Sequence, residues 1–260
     1  MATPSNAGRA QKARPVSQRS RGKHLWENFK SIVGALAIFL LLRAFLVEAY
    51  RIPSGSMIPT LLVGDWLFVN KAIFGAHVPL TNTSLPAYRE PRRGDVVVFV
   101  SPYQADEAGR GADPTPTLVK RLVGTPGDTL YMRNGILYVN GIAQRQGYGT
   151  APIDAAMGGS VDPLFDWQKK VGLKSSRFGA APAQPSHDNW GPLVVPPHRL
   201  FMMGDSRYNS KDSRYWGFVP RENVRGKPLF VYYSYNADDS DRPVPMLTDI
   251  RWSRIGHWIK

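Results

Sequence analysis

Apolar residues follow two different rhythms along this chain. Ile32 to Leu42 is an unbroken apolar run, Arg43 interrupts it, and Ala44-Phe45-Leu46-Val47 resumes it. A bilayer span takes about 17–25 residues, a length that Ser31 to Val47 reaches when Arg43 is counted. Arg43 stands near the far end, where its long stem can snorkel to the interface. The run predicts one N-terminal transmembrane helix over residues 31–49. A buried core helix and a cleaved signal peptide are the competing readings, and the lack of a small-residue cleavage site after the run counts against the second.

From residue 50 the rhythm shortens to that of strands. Trp66–Val69, Asp95–Val100, Thr117–Val123, Arg199–Met203 and Pro228–Tyr233 carry the β-branched and aromatic runs expected of a sheet. Thr129–Met132 and Ile136–Val139 flank Arg133-Asn134-Gly135, and Asn-Gly between apolar runs is the strongest short hairpin signal. Residues 145–196 are richer in Gly, Pro, Ala and Ser and weak in periodicity, which reads as an insertion. The prediction is a mainly β protein. An antiparallel β-sheet domain takes residues 50–144 and 197–260, a smaller inserted β-rich subdomain takes 145–196, and one transmembrane helix precedes both.

Composition narrows the class. With 260 residues and 43% hydrophobic content, the chain can bury a sizeable core and is not globally disordered. Its 24 glycines and 22 prolines are too many for a helical bundle. Cysteine is absent, which excludes disulfide scaffolds, Cys-ligated zinc, iron–sulfur clusters and thiol nucleophiles.

A net charge of +13 first suggests a nucleic-acid partner. Its distribution argues otherwise. Residues 1–30 hold seven Lys and Arg against one Glu, so nearly half of the excess lies in a short polar arm, expected to be disordered, just before the apolar run. The positive-inside rule places that arm in the cytoplasm and the chain after about residue 48 on the other side of the membrane.

Three stretches could carry chemistry. Ile52-Pro53-Ser54-Gly55-Ser56-Met57-Ile58-Pro59 presents two serines on a turn stiffened by prolines, as a serine nucleophile needs; an ordinary turn has the same composition. Lys120 and Arg121 sit inside an apolar strand, where alternation sends one of them inward or to a sheet edge; an edge lysine that discourages aggregation is the bland reading. Gly204 to Arg214 is dense in hydroxyls, carboxylates and guanidiniums, fitting either a solvated loop or an internal polar network. No histidine lies in a triad motif, and neither a G-x-S-x-G elbow nor a His-Glu-x-x-His helix occurs. Lysine is then the available base for a serine.

At these residues the chain resembles the bacterial type I signal peptidases (leader peptidases), a serine–lysine dyad family. Ile52 to Leu61 resembles the family's nucleophile box, Arg93 to Phe99 a short strand box, Lys120 to Asp128 the lysine box and Gly204 to Arg214 the last box, with Ile250 to Gly256 also fitting. Ser206 and Tyr208 depart from the Asn and Asp that relatives often have there. The resemblance implies an endopeptidase that removes signal peptides from exported preproteins through an acyl-enzyme, cleaving after small residues. Ser56 would be the nucleophile and Lys120 the neutral general base. The Ser54 hydroxyl and Ser56 N–H would form the oxyanion hole, and Ser210 would orient the amine. Ile52, Pro53, Met57, Leu61, Leu118 and Val119 would bind substrate, while Arg121, Asp205, Asp212 and Arg214 would build a supporting network. Desolvation of Lys120 would come from Leu118, Val119, Leu122, Met57 and Leu61. No metal and no cofactor are implied. The expected partners are preprotein signal peptides, membrane phospholipids and the secretion translocon, with no nucleic acid. The expected location is the cytoplasmic (inner) membrane, single-pass, with the catalytic domain on the extracytoplasmic side. Competing readings are an esterase using Ser206 with His198 or His257, and a tethered binding module without activity.

Overall fold

The computed structural model describes residues 21–78, 81, 83–144 and 161–260. Contacts divide the chain into two units, Met1–Leu42 and Arg43–Lys260. The first unit's described part, residues 21–42, lies wholly in helix α1, which runs Arg21–Phe45. Its window Leu25–Phe45 is 21 residues long and apolar enough to cross a membrane. At about 1.5 Å per residue, such a segment spans a hydrocarbon core of about 30 Å. The helix starts earlier and stops earlier than the span expected over 31–49. It begins inside the arm expected over 1–30, and it stops before residue 49 because Val47–Arg51 turns extended to pair with a neighbouring strand. The rest of that arm, residues 1–20, lies outside the described residues.

Among the described residues, the second unit holds eleven strands. They are β1 (Val47–Arg51), β2 (Asp65–Asn70), β3 (Val96–Val100), β4 (Thr117–Gly124), β5 (Thr129–Arg133), β6 (Ile136–Val139), β7 (Ile142–Ala143), β8 (Trp190–Val194), β9 (Arg199–Met203), β10 (Val219–Pro220) and β11 (Val224–Ser234). Seven form one sheet in the order β1-β2-β11-β3-β4-β9-β10, and four form a second in the order β7-β6-β5-β8. Every pairing among the described residues is antiparallel. The mainly β expectation is met.

Local sequence explains several elements. Asn134 (φ 50°) and Gly135 (φ 76°) give the left-handed turn that a two-residue hairpin requires, so β5 and β6 pair from Leu130–Val139 to Arg133–Ile136. In β2 burial alternates, with Leu67 and Val69 inward. In β3, Val96 to Phe99 are all buried, because neighbours cover both faces. One apolar cluster (Ile52, Met57, Leu61, Leu67, Val69, Val96, Val98, Val231, Ile259) lies beneath the segment between β1 and β2. Another (Val123, Leu130, Met132, Trp190, Leu193, Phe201, Met203 among them) joins the two sheets. Each fully buried Leu or Phe there contributes about 1.5–3 kcal/mol.

The border expected at residue 145 is not a sheet border. β5, β6 and β7 precede it, and β8 lies within the stretch read as an insertion, yet the four make one sheet. Trp190-Gly191-Pro192-Leu193-Val194 pairs with β5 although its Gly and Pro hide the strand rhythm. Between lie a short helix, α3 (Trp167–Val171), and residues 145–160, which are outside the described residues.

Candidate active site

The segment joining β1 to β2 carries Ser54 and Ser56, with a single 3-10 turn at Gly55–Met57. Its base is closed by Asp65, fully buried at the start of β2. Asp65 accepts from Leu62 N–H (2.8 Å), from the Ser234 hydroxyl (2.7 Å) and from Arg254 Nη2 (2.5 Å). The same Arg254 group donates to Thr60 O at 3.0 Å. Charge-assisted bonds of this kind are the strong ones, so the C-terminal stretch clamps the serine segment. Met57 and Leu61 anchor it to the core from within.

Lys120 and Arg121 stand in β4, an interior strand between β3 and β9. The sequence led us to expect one of them inward or at an edge; instead both are buried, 4% and 3% exposed, with β3 paired along Thr117–Arg121 on one side and β9 joining on the other only from Arg121. Lys120 Nζ lies 2.5 Å from Ser56 Oγ. Burial drives the Lys120 amine down from 10.5 to about 8; Asp212 and Asp205 pull it back up, and Arg214 adds to the lowering. The apolar residues expected to desolvate it divide: Met57, Leu61 and Val119 belong to one cluster, Leu118 and Leu122 to another.

Arg121 grips Asp205 with two parallel bonds, Nε to Oδ1 at 2.7 Å and Nη2 to Oδ2 at 2.8 Å. Thr60 Oγ1 donates to Asp205 Oδ2 at 2.5 Å. This pair ties the lysine strand to the serine segment and to the stretch after β9. A second pair is wholly internal: Arg214 Nε and Nη2 each reach Asp212 at 2.8 Å. Burial pushes the Asp212 carboxyl up and Arg214 more than reverses it, leaving it below the usual carboxylate range.

Ser210 does not make the contact expected of it. Its hydroxyl donates to Asp212 Oδ2 at 2.9 Å, and among the described hydrogen bonds Lys120 Nζ has only Ser56 Oγ as partner. A carboxylate is the stronger acceptor, and it is nearer in the chain. Asp212 Oδ2 also accepts the Gly204 N–H at 3.0 Å. Ser54 Oγ lies 3.5 Å from Ser56 Oγ and is exposed. Ser206 has no hydrogen bond with His198 or His257 among the described contacts, so the esterase pairing finds no support in geometry.

Beside the dyad is a cavity of about 70 Å³, small against the 300–1,000 Å³ common for small-molecule sites. Ile52, Pro53, Met57, Leu118 and Val119 line it, together with Tyr50, Arg51 and Thr117, which the sequence did not single out. Leu61 is absent from the lining, being fully buried in the core beneath. A larger cavity of about 610 Å³, lined by Arg92, Arg93, His198 and Arg221 among others, shares no residue with this cleft.

Thr60, Asp65, Arg254 and Gly204 lie in or beside the stretches marked in the sequence but were given no individual role there. Gly204 is required by the close approach around it: a Cβ there would come within 2.2 Å of Ser210 Oγ and 2.5 Å of Ser56 O.

A serine hydroxyl held against a buried amine is the layout of a serine hydrolase that uses lysine as base, and comparison with known proteins gives the same class. Residues 25–233 match the family model described as signal peptidase, peptidase S26. Signal peptidase I of Pseudomonas aeruginosa is 36% identical over 252 residues, covering 89% of this chain and 78% of that protein. That of Pseudomonas fluorescens is 36% identical over 254 residues, with the same coverage. That of Leptolyngbya laminosa is 30% identical over 223 residues, covering 85% and 86%. The chain belongs to the signal peptidase family, peptidase S26, and is a serine endopeptidase.

Proposed function

We propose that this membrane-anchored endopeptidase removes signal peptides from preproteins with Ser56 as nucleophile and Lys120 as general base. The observation that carries the site assignment is the 2.5 Å approach of Lys120 Nζ to Ser56 Oγ at a buried position. In this reading Ser56 Oγ attacks the carbonyl carbon of the scissile bond while its proton passes to neutral Nζ. The ammonium so formed protonates the departing amine, leaving an acyl-enzyme. Water then attacks the ester, Lys120 again takes and returns the proton, and the signal peptide leaves with a new carboxylate. Ser54 Oγ and the Ser56 N–H stabilise the oxyanion. Asp212 fixes Ser210 and Gly204, and Asp205 fixes Arg121 and Thr60, so these residues hold the frame rather than react.

The substrate lies extended between Ile52-Pro53, which follow edge strand β1, and Leu118-Val119, which β9 leaves unpaired because its register with β4 begins at Arg121. A cavity of about 70 Å³ supports a preference for small residues at the first and third positions before the cut. The N-terminal apolar helix fits membrane anchoring. The basic residues ahead of it support a cytoplasmic N-terminus, a single pass through the inner membrane and an extracytoplasmic catalytic domain over residues 50–260, with phospholipids and the translocon as neighbours. Anchoring would raise the effective concentration of enzyme and substrate in the same membrane.

The test is preprotein cleavage by the purified full-length protein in detergent or vesicles. Wild type is expected to release the signal peptide, and Ser56→Ala and Lys120→Met to release none. Cleavage retained in either variant would remove that residue from its role.

A further inference from the structure

The β3–β4 connection contains helix α2 (Ala105–Gly109), and the chain after β9 leads through residues 204–212 into helix α4 (Ser213–Trp216). Lys211 bridges the two. Its Nζ lies 2.5 Å from Asp106 Oδ2 and 2.5 Å from Glu107 Oε1, with all three side chains about a quarter exposed. Arg110 shares both acids from the solvent side. Lys211 is flanked in sequence by Ser210 and Asp212, which bond each other at 2.9 Å. The same stretch holds the serine segment through the Ser206 N–H, which donates to Ser56 O at 3.1 Å. On the other side, Gln104 is buried and ties α2 to its connection, Nε2 to Ser101 Oγ at 2.9 Å and N–H to Pro114 O at 2.9 Å. That connection enters β4 at Thr117, three residues before Lys120.

We propose that Lys211 is a positioning residue, whose two-carboxylate clamp closes a ring of contacts from Ser56 through Ser206, residues 206–211, α2 and β4 back to Lys120. The proposal rests on the Ser56–Lys120 reading above. An ammonium has three donors and can serve both acids at once, which fastens α2 without burying the pair. A cavity of about 330 Å³ lies beside the clamp, lined by Tyr103, Gln104, Asp106, Trp167, Lys211 and Tyr215 among others. Released from Lys211, α2 and the 204–212 stretch have room to part there. The lysine bond also holds the Asp106 carboxyl below its ordinary range. Exposed ion pairs contribute little to stability, about 0.2–1 kcal/mol, so the clamp acts on the fit of the dyad more than on folding. The charged groups around Lys120 are Asp212, Asp205 and Arg214, and all three lie in the 204–212 stretch Lys211 anchors or in the helix it enters. Loosening that stretch admits water to Lys120 and raises its amine toward the ordinary lysine range.

Wild type, Lys211→Met, Lys211→Arg and the double variant Asp106→Asn/Glu107→Gln are compared as full-length proteins on one preprotein, with kcat and KM measured across pH and thermal unfolding measured in parallel. Lys211→Met is expected to lower kcat/KM about threefold near neutral pH, through kcat, with the loss recovered on the alkaline side. The rising limb of its pH profile moves up by about half a unit. The double variant, which alters only partly exposed side chains, reproduces the shift, and Lys211→Arg restores most of the activity. An unmoved pH profile in Lys211→Met and in the double variant overturns the proposal, whether activity is unchanged or uniformly reduced. If Ser56→Ala or Lys120→Met keeps activity, the dyad reading fails instead, whatever Lys211 does.

Discussion

Ser206 donates its backbone N–H to the carbonyl oxygen of Ser56, 3.1 Å away. The serine segment is therefore held from outside by the main chain of the 204–214 stretch, through the backbone of Ser206 and not its side chain. Gly204 makes the approach possible, since a Cβ there would lie 2.5 Å from Ser56 O and 2.2 Å from Ser210 Oγ. Gly204→Ala is expected to lower kcat at least about tenfold by displacing Ser56, as misplacement by an ångström does. Steady-state kinetics on a preprotein, with circular dichroism to confirm folding, checks it.

Ser54 stands beside the nucleophile, its hydroxyl 3.5 Å from that of Ser56. If it donates to the oxyanion, Ser54→Ala loses an interaction made only in the transition state. The expected loss is about 10²–10³ in kcat with KM little changed. An unchanged kcat would take Ser54 out of the oxyanion hole.

Arg121 and Asp205 form a buried bidentate pair, their side chains 4% and 0% exposed. Removing one partner strands a charge in the interior, at a cost of about 3–5 kcal/mol. Arg121→Met is therefore expected to unfold at much lower denaturant than wild type, and Arg121→Met/Asp205→Leu to recover part of the loss. Equilibrium unfolding of the two variants decides it.

The lowered amine of Lys120 has a consequence for stability. Its unfolded value is about 10.5 and its folded value about 8. Between these the unfolded chain binds more protons, so this group makes stability rise with pH across that window. Below about 8 the folded protein carries a buried ammonium. Lys120→Met removes both effects. Its melting temperature should exceed that of wild type near neutral pH, and the gap should close as pH rises toward 10.5. A gap that stays constant would mean that the amine is not desolvated.

How far the sequence could be read depended on whether the signal was local. The β5–β6 hairpin was legible because Asn134-Gly135 specifies its own turn. β8 was not, because Gly191 and Pro192 mask its rhythm and its pairing with β5 is set about 60 residues away in sequence. The end of the helix was misplaced because strand β1 and the apolar run share Val47, and its start because the helix continues into the polar residues before the run. At the site, residue types indicated Ser56, Lys120 and the two Arg–Asp pairs, but partners depended on folding. Ser210 had two possible acceptors in view and took Asp212. Leu61 is apolar and near the serines in sequence, yet its side chain enters the core and not the cleft. The Asp65–Arg254 clamp joins residues that no spacing rule connects.

The pH dependence of kcat/KM for preprotein cleavage tests the central claim most directly, because it reports the protonation of the free enzyme's base. With Lys120 as that base, the rate constant should climb about tenfold per pH unit on the acidic side and level off above about 8. A profile flat from about pH 6 to 9 would contradict a buried lysine acting on Ser56.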